Sequence, residues 1–145
     1  MNQVEFFKPR LRRVVRNAPD EVKAWASHRL NTQFREPCLA LGVLNNGGHL
    51  VGAAIFNDFE ERNVEVSLVG PGVFYRGVAK ELFHYAFDEL GCWRISLTIH
   101  EKNKAHLKLA DKFGWKVEGR KRNYYGHDHA IIMGMLRHEC KLLRD

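Results

Sequence analysis

The chain has 145 residues, a length that fits a single domain spanning residues 1–145 and buries an ordinary hydrophobic core without disulfide or metal staples. At 45% hydrophobic and 28% charged residues its composition is that of a globular protein, which excludes a mainly disordered chain, and no apolar run approaches the roughly 20 residues of a membrane helix. The formal net charge of +6 favours anionic partners (nucleic acid, a polyphosphate cofactor or an acidic protein) and disfavours a polycation.

The three cysteines, Cys38, Cys92 and Cys140, are odd in number, widely spaced and form no CxxC pair, so neither a disulfide framework nor a zinc site is expected. His127, Asp128 and His129 crowd one polar turn, where a solvated loop is expected and not a metal centre. The N-terminal stretch is rich in arginine and lacks the apolar segment of a secretory signal, which makes the cytoplasm the expected compartment. Positive charge is densest at Arg10, Arg12, Arg13 and Arg16 and again at Arg120, Lys121 and Arg122.

In chain order, Val4 to Phe7 reads as a short first strand. Asn17-Ala18-Pro19-Asp20-Glu21 reads as a helix start, with a polar cap, an early proline and acids in the first turn. Val22, Trp25, Ala26, Arg29 and Leu30 continue it as a stripe at helical spacing. Cys38 to Leu44 is a compact apolar strand, Asn45-Asn46-Gly47-Gly48 a hairpin turn, and Leu50 to Phe56 the return strand. A polar turn at Asp58 to Asn63 leads to a strand in which Val64, Val66 and Leu68 alternate with Glu65 and Ser67.

Gly70-Pro71-Gly72 ends that strand and a loop runs through Gly77. A helix follows with Leu82, Phe83, Ala86, Phe87 and Leu90 on one face, ended by Gly91. Trp93 to Ile99 is a strand with Ile95, Leu97 and Ile99 on one side. Asn103 to Phe113 is a helix stopped by Gly114. Trp115 to about Tyr124 and Ala130 to Leu136 close the chain as an antiparallel hairpin. Trp25, Trp93 and Trp115 are expected in the core. The class is α+β, a mixed central sheet of about six to seven strands flanked by about three to four helices.

The chemistry is expected between Glu65 and Phe87, where a strand, a glycine-containing loop and a helix follow one another. A helix N-terminus offers unpaired N–H groups and partial positive charge to an anion. Gly77 and Ala79 let a phosphate approach the backbone, and Arg76 and Lys80 add cationic side chains, which together make a plausible pyrophosphate cradle.

In the order of its elements and in two motifs the chain resembles the GNAT superfamily of N-acetyltransferases. The cofactor loop of that family runs Gln/Arg-x-x-Gly-x-Gly/Ala. Here Phe74-Tyr75-Arg76-Gly77-Val78-Ala79 stands in its place, with Gly77 and Ala79 matching and Phe74 departing. The second motif is an Asn, a helix, then Gly and an aromatic: Asn103, Gly114 and Trp115, continued by Glu118-Gly119-Arg120. The basic segment Lys121-Arg122, Tyr124, the Gly126–Asp128 turn and the last strand are most similar to the ribosomal-protein N-terminal acetyltransferase (RimJ/RimL-like) branch.

The resemblance implies the GNAT fold, acetyl-CoA as acyl donor, and transfer to a primary amine (a protein N-terminus, a lysine or a small amine) by direct attack in a ternary complex. It implies that Val66, Leu68 and Val69 contact the thioester and pantetheine arm through their backbones. The loop Phe74, Arg76, Gly77, Val78, Ala79 and Lys80 then holds the pyrophosphate, and Asn103 touches the arm. Glu65 becomes the candidate general base, acting through water, with Ser67 as a weaker polar contact. Alternatives stay open: Glu65 as the solvent side of an alternating strand, and Asn103 as a plain helix cap. Many GNAT enzymes carry a Tyr that protonates the leaving thiolate, and Ala110 occupies that position here. The expected partners are acetyl-CoA and an amine acceptor that is acidic or nucleic-acid-associated, with no membrane, in a monomer or homodimer. A non-catalytic GNAT-like module binding CoA, a protein or a nucleic acid is the alternative.

Overall fold

The computed structural model describes residues 12–143; the strand expected at Val4 to Phe7 lies outside them. Seven strands form a mixed sheet in the order β1-β2-β3-β4-β5-β7-β6, accompanied by three α-helices, within the α+β architecture expected from the sequence. The chain gathers into two compact units, one taking in the described residues up to Asn57 together with Ser67–Leu82, the other Asp58–Val66 together with the residues from Phe83 onward. Among the described residues no helix is long and apolar enough to cross a membrane.

The first unit is built on β1 (Arg13–Val15), α1 (Pro19–Leu30), β2 (Leu39–Leu44) and the greater part of β3 (Leu50–Glu60). Pro19 opens α1, and the capping position falls on Ala18, which has no polar side chain to offer. The polar cap expected from Asn17 is therefore not used. The proline lacks an N–H that would need a partner, and Asp20 and Glu21 complement the helix dipole. Val22 and Ala26 bury one side of α1 against Cys38, Ala40, Ala53, Ile55 and Val69, with Trp25 partly buried beside them. Each such side chain contributes about 1.5–3 kcal/mol where it is a full Val- or Ile-sized group. The stripe is narrower than expected: Leu30 is exposed, and the Arg29 guanidinium lies over the Trp25 ring.

The β2–β3 hairpin turns where Asn and Gly predict. The Asn45 side-chain oxygen accepts the N–H groups of Gly47 at 2.9 Å and His49 at 3.0 Å, and Gly48 takes a left-handed φ of 78°. β3 is longer than its apolar run. It continues through Asp58 to Glu60, so the expected six-residue polar turn contracts to Glu61-Arg62 before β4 (Asn63–Val69). Sheet pairing overrides local polarity there.

The second unit holds β5 (Arg94–His100), α3 (Lys104–Phe113), β6 (Lys116–Lys121) and β7 (Ala130–Leu136). β5 pairs antiparallel with β7 and β7 with β6, while β5 joins the start of β4 in parallel over Asn63–Glu65 and Arg94–Ser96. Ile95, Leu97 and Ile99 are buried as their alternation requires, and Trp115 is 2% exposed with Phe83 edge-on to it. Trp93 overturns its expectation. It is 73% exposed, because β5 begins one residue later and the Arg62 guanidinium sits over the indole. Gly114, at a φ of 113°, ends α3 where an added Cβ would collide with the carbonyl of Glu139, and beyond it Cys140, Leu142 and Leu143 are buried.

Candidate active site

In the first unit, β4 runs into a tight loop pressed against β3. Gly70 has a φ of 81°, and a Cβ there would stand 2.8 Å from the Val51 carbonyl oxygen. A 3₁₀ turn over Pro71–Phe74 follows, with Val73 buried. Phe74 is its last residue and Tyr75 is extended. α2 (Arg76–His84) then begins at Arg76, two residues earlier than the loop expected through Gly77 implies. Its first closing bond runs from the Ala79 N–H to the Tyr75 carbonyl at 2.8 Å. The N–H groups of Arg76, Gly77 and Val78 therefore form the free first turn of the helix.

Side chains sort cleanly around that turn. Val78 and Ala79 are buried and anchor it, while Arg76, Gly77 and Lys80 are exposed. Nothing lies within 4 Å of the place a Cβ on Gly77 would occupy. A residue the sequence did not single out for this role, Arg12, brings a third cation. Its guanidinium donates to the Tyr75 hydroxyl at 2.9 Å and lies 4.4 Å from the centre of that ring. A helix N-terminus, an open glycine and three cations have the donor chemistry a pyrophosphate requires, so the residues present fit the phosphate end of a coenzyme A.

β4 carries Glu65, Val66, Ser67, Leu68 and Val69 in succession. Val64, Val66 and Val69 are buried, whereas Ser67 and Leu68 are both half-buried, so the strict alternation expected through Leu68 breaks at the end of the strand.

In the second unit, Glu65 is half-buried and accepts a hydrogen bond from the Thr98 hydroxyl at 2.8 Å. Burial pushes its carboxyl above the usual glutamate range. Thr98, Lys121 and Arg94 oppose that push and the nearby Asp58 reinforces it. Beside this pair the Ser96 hydroxyl donates to Asn63 at 3.0 Å, and Arg94 pairs with Glu118. One polar face thus runs along β4 and β5. Arg94, Ser96 and Thr98 alternate along β5 with the buried Ile95, Leu97 and Ile99, a period-two pattern the sequence carries.

Asn103 caps α3, its side-chain oxygen accepting the His106 N–H at 3.2 Å. Ala110 is buried at the position where a Tyr would protonate a leaving thiolate. Other groups that could carry a proton, His100, His106 and Tyr125, are held in other settings. His100 accepts the Lys102 N–H on Nδ1 at 3.1 Å, which leaves the proton on Nε2, facing Asp128 at 3.1 Å. Burial drives the His106 imidazole toward its neutral form and holds the Tyr125 phenol above its ordinary value. Among the described residues no group of His, Cys, Asp and Glu gathers as a metal site.

The comparisons with known proteins fix the class to which this geometry belongs. The acetyltransferase (GNAT) domain matches residues 3–116, and the chain belongs to that family. It is an acetyl-CoA-dependent N-acetyltransferase, a transferase of the GNAT type. An uncharacterised N-acetyltransferase of Mycobacterium bovis is 25% identical over 130 residues, covering 83% of each chain, and one of Mycobacterium tuberculosis matches equally. The fold is that of a spermidine N-acetyltransferase of Vibrio cholerae solved with CoA and spermine: TM-score 0.66 at 16% identity, over 86% of this chain and 78% of that one. A spermidine N-acetyltransferase chimera from Vibrio cholerae and hSSAT superposes with a TM-score of 0.66 at 18% identity, over 87% of this chain and 80% of that one.

Proposed function

We propose that the chain acts as one catalytic domain that transfers an acetyl group from acetyl-CoA to a primary amine, by direct attack within a ternary complex. The observation that carries the cofactor assignment is the free first turn of α2, with the open Gly77 between Arg76 and Lys80. The N–H groups of Arg76, Gly77 and Val78 grip the pyrophosphate, with Ala79 leaving room for it and the Arg76, Lys80 and Arg12 side chains beside them. Backbone groups of Val66, Leu68 and Val69 receive the pantetheine arm and thioester, Phe74 lines the same approach through its backbone, and Asn103 meets the arm while capping α3. Acetyl-CoA supplies the activated acyl group.

Glu65 is the general base. An ammonium must lose a proton before its nitrogen can attack, and a carboxylate lifted in pKa by burial is a better proton acceptor near neutrality than an ordinary glutamate. Thr98 fixes the carboxylate's orientation by donating to one oxygen, which leaves the second to take the proton through a water. Ser67 offers a polar contact on the same strand.

The acceptor we infer is a protein N-terminus or another singly charged amine, in line with the ribosomal-protein N-terminal acetyltransferase branch. Net positive charge and the exposed Arg76 and Lys80 repel a polycation, which separates this chain from a polyamine acceptor. Thiol release from acetyl-CoA tests the reading, measured against N-terminal peptides, lysine peptides and spermidine in parallel. Turnover with peptide amines is expected. Turnover confined to spermidine would refute the acceptor assignment, and saturable acetyl-CoA binding without turnover on any amine would refute the base.

A further inference from the structure

We propose that the turn between β6 and β7 is a binding platform for single-stranded nucleic acid. From Gly119 to His127 the sequence reads Gly-Arg-Lys-Arg-Asn-Tyr-Tyr-Gly-His, with no carboxylate. Tyr124 is 53% exposed and Tyr125 45%. Their rings meet edge to face, 5.0 Å between centres at 81°.

The turn is held, not floppy. Asn123 and Gly126 take left-handed φ values of 56° and 94°, and the Tyr125 N–H donates to the Asp128 carbonyl at 3.1 Å. The Asn123 N–H donates to His129 Nδ1 at 2.8 Å. Asp128 is clamped by Lys102 at 2.9 Å and by His100 at 3.1 Å, and Arg120 is tied to Glu101 at 3.1 Å. His100 stacks under Tyr125 with ring centres 4.6 Å apart and a 20° tilt. The imidazole backs one face of Tyr125, and the residue stays exposed.

Two preset aromatic planes flanked by cations are what an unpaired nucleobase and its phosphate need. The Lys121 ammonium lies 5.5 Å from the Tyr124 ring centre, and Lys121 and Arg122 are both exposed. A base stacked on either tyrosine brings its own phosphate within reach of those two charges. Base stacking is indifferent to sequence, since every base has a π-face, and a duplex hides those faces. The acids near the turn, Asp128 and Glu101, are already paired with Lys102 and Arg120, so they do not cancel Lys121 and Arg122.

The test is fluorescence anisotropy with a labelled uridine 20-mer, a thymidine 20-mer and a duplex of equal length, at low and moderate salt. Both single strands are expected to bind more tightly than the duplex. Tyr124→Ala and Tyr125→Ala should each weaken binding about tenfold, with Tyr125→Phe within about twofold of the parent. Lys121→Gln and Arg122→Gln should lower the salt dependence of single-strand binding, each by about 0.7 in the log–log slope. Thermal melts of every variant separate loss of the platform from loss of the fold. Alanine variants that melt normally and bind like the parent would overturn the proposal. So would equal affinity for duplex, absence of binding at low salt, or displacement of the 20-mer by polyglutamate or inorganic polyphosphate as readily as by unlabelled single strand.

Discussion

Gly77 stands second in α2, its φ lies outside the left-handed region, and a methyl group added there meets nothing within 4 Å. Gly77→Ala therefore costs the fold nothing in space and gains helix propensity. The full interior gain is about 1 kcal/mol, and in a first turn about half of that, ~0.5 kcal/mol, is the working figure. For a domain of this size that raises the melting temperature by about 1–2 °C. Under the proposed cofactor assignment, the same methyl stands where a phosphate oxygen approaches the backbone. Losing one hydrogen bond to a charged group costs about 1.5–3 kcal/mol, or about 10- to 150-fold in affinity. Melting of the free protein and isothermal titration with acetyl-CoA and CoA should move in opposite directions, and Gly77→Trp should abolish saturable binding. An alanine variant with raised stability and unchanged acetyl-CoA affinity would refute the phosphate assignment.

Glu65→Gln should lower kcat/KM by about 10²–10⁴-fold and remove the acid limb of its pH profile. Because the folded-state pKa of Glu65 is raised, its contribution to stability is present at low pH and lost as pH rises through that pKa. The glutamine variant should accordingly match or exceed the parent in stability at pH 8 and lose that advantage below the ordinary value of 4.5, as denaturant titrations at the two pH values will show. Thr98→Val removes the donor that favours the carboxylate, so the acid limb of kcat/KM should move to higher pH; a limb that stays put would mean Thr98 does not tune the base. Asn103→Ala should cost about 1 kcal/mol through the lost cap, whereas Asn103→Ser keeps a cap. If the serine variant still shows a raised KM for acetyl-CoA, Asn103 has the second role as well. Gly114→Ala forces a Cβ onto the Glu139 carbonyl at a left-handed φ and should destabilise the fold by about 3–5 kcal/mol, read from the shift in denaturant midpoint.

Much of this arrangement was legible in the chain. Period-two alternation placed Glu65 on the partly exposed side of β4 and Ile95, Leu97 and Ile99 inside. Gly48, Gly91 and Gly114 marked turns and ends that do take positive φ. The elements that were misread share a cause, which is that tertiary context decides them. Asp58 and Glu60 look like turn residues, yet the sheet draws them into β3. Trp93 looks like core because indoles are large and apolar, but its side chain falls outside the start of β5 and rests under a guanidinium. α2 begins at Arg76 because Val78 and Ala79 bury, a fact about packing that no local glycine rule contains. The same helix widens into a π turn over Tyr85–Glu89, where the Leu90 N–H reaches back to the Tyr85 carbonyl, and no periodicity in the sequence announces it. The alternation along β5 marks Thr98 as polar, but neither its pairing with Glu65 nor that of Arg12 with Tyr75 leaves a mark on local spacing, because the partners are distant in sequence.

The parallel join of β4 to β5 is three pairs long and links residues 31 positions apart, Asn63 with Arg94. Hairpins such as β2–β3 and β6–β7 close short loops and form in about 1–10 μs, whereas a parallel pair must wait until the intervening chain, α2 included, has condensed. So short a ladder adds little cooperativity of its own, and it ends at the residue pair Glu65 and Ser96. The pairing of Glu65 with β5 is then among the last contacts to form and among the first to open on heating, while β4 itself stays held by its neighbour β3. Acetyl transfer should fail at a lower temperature than the one at which the hairpins melt.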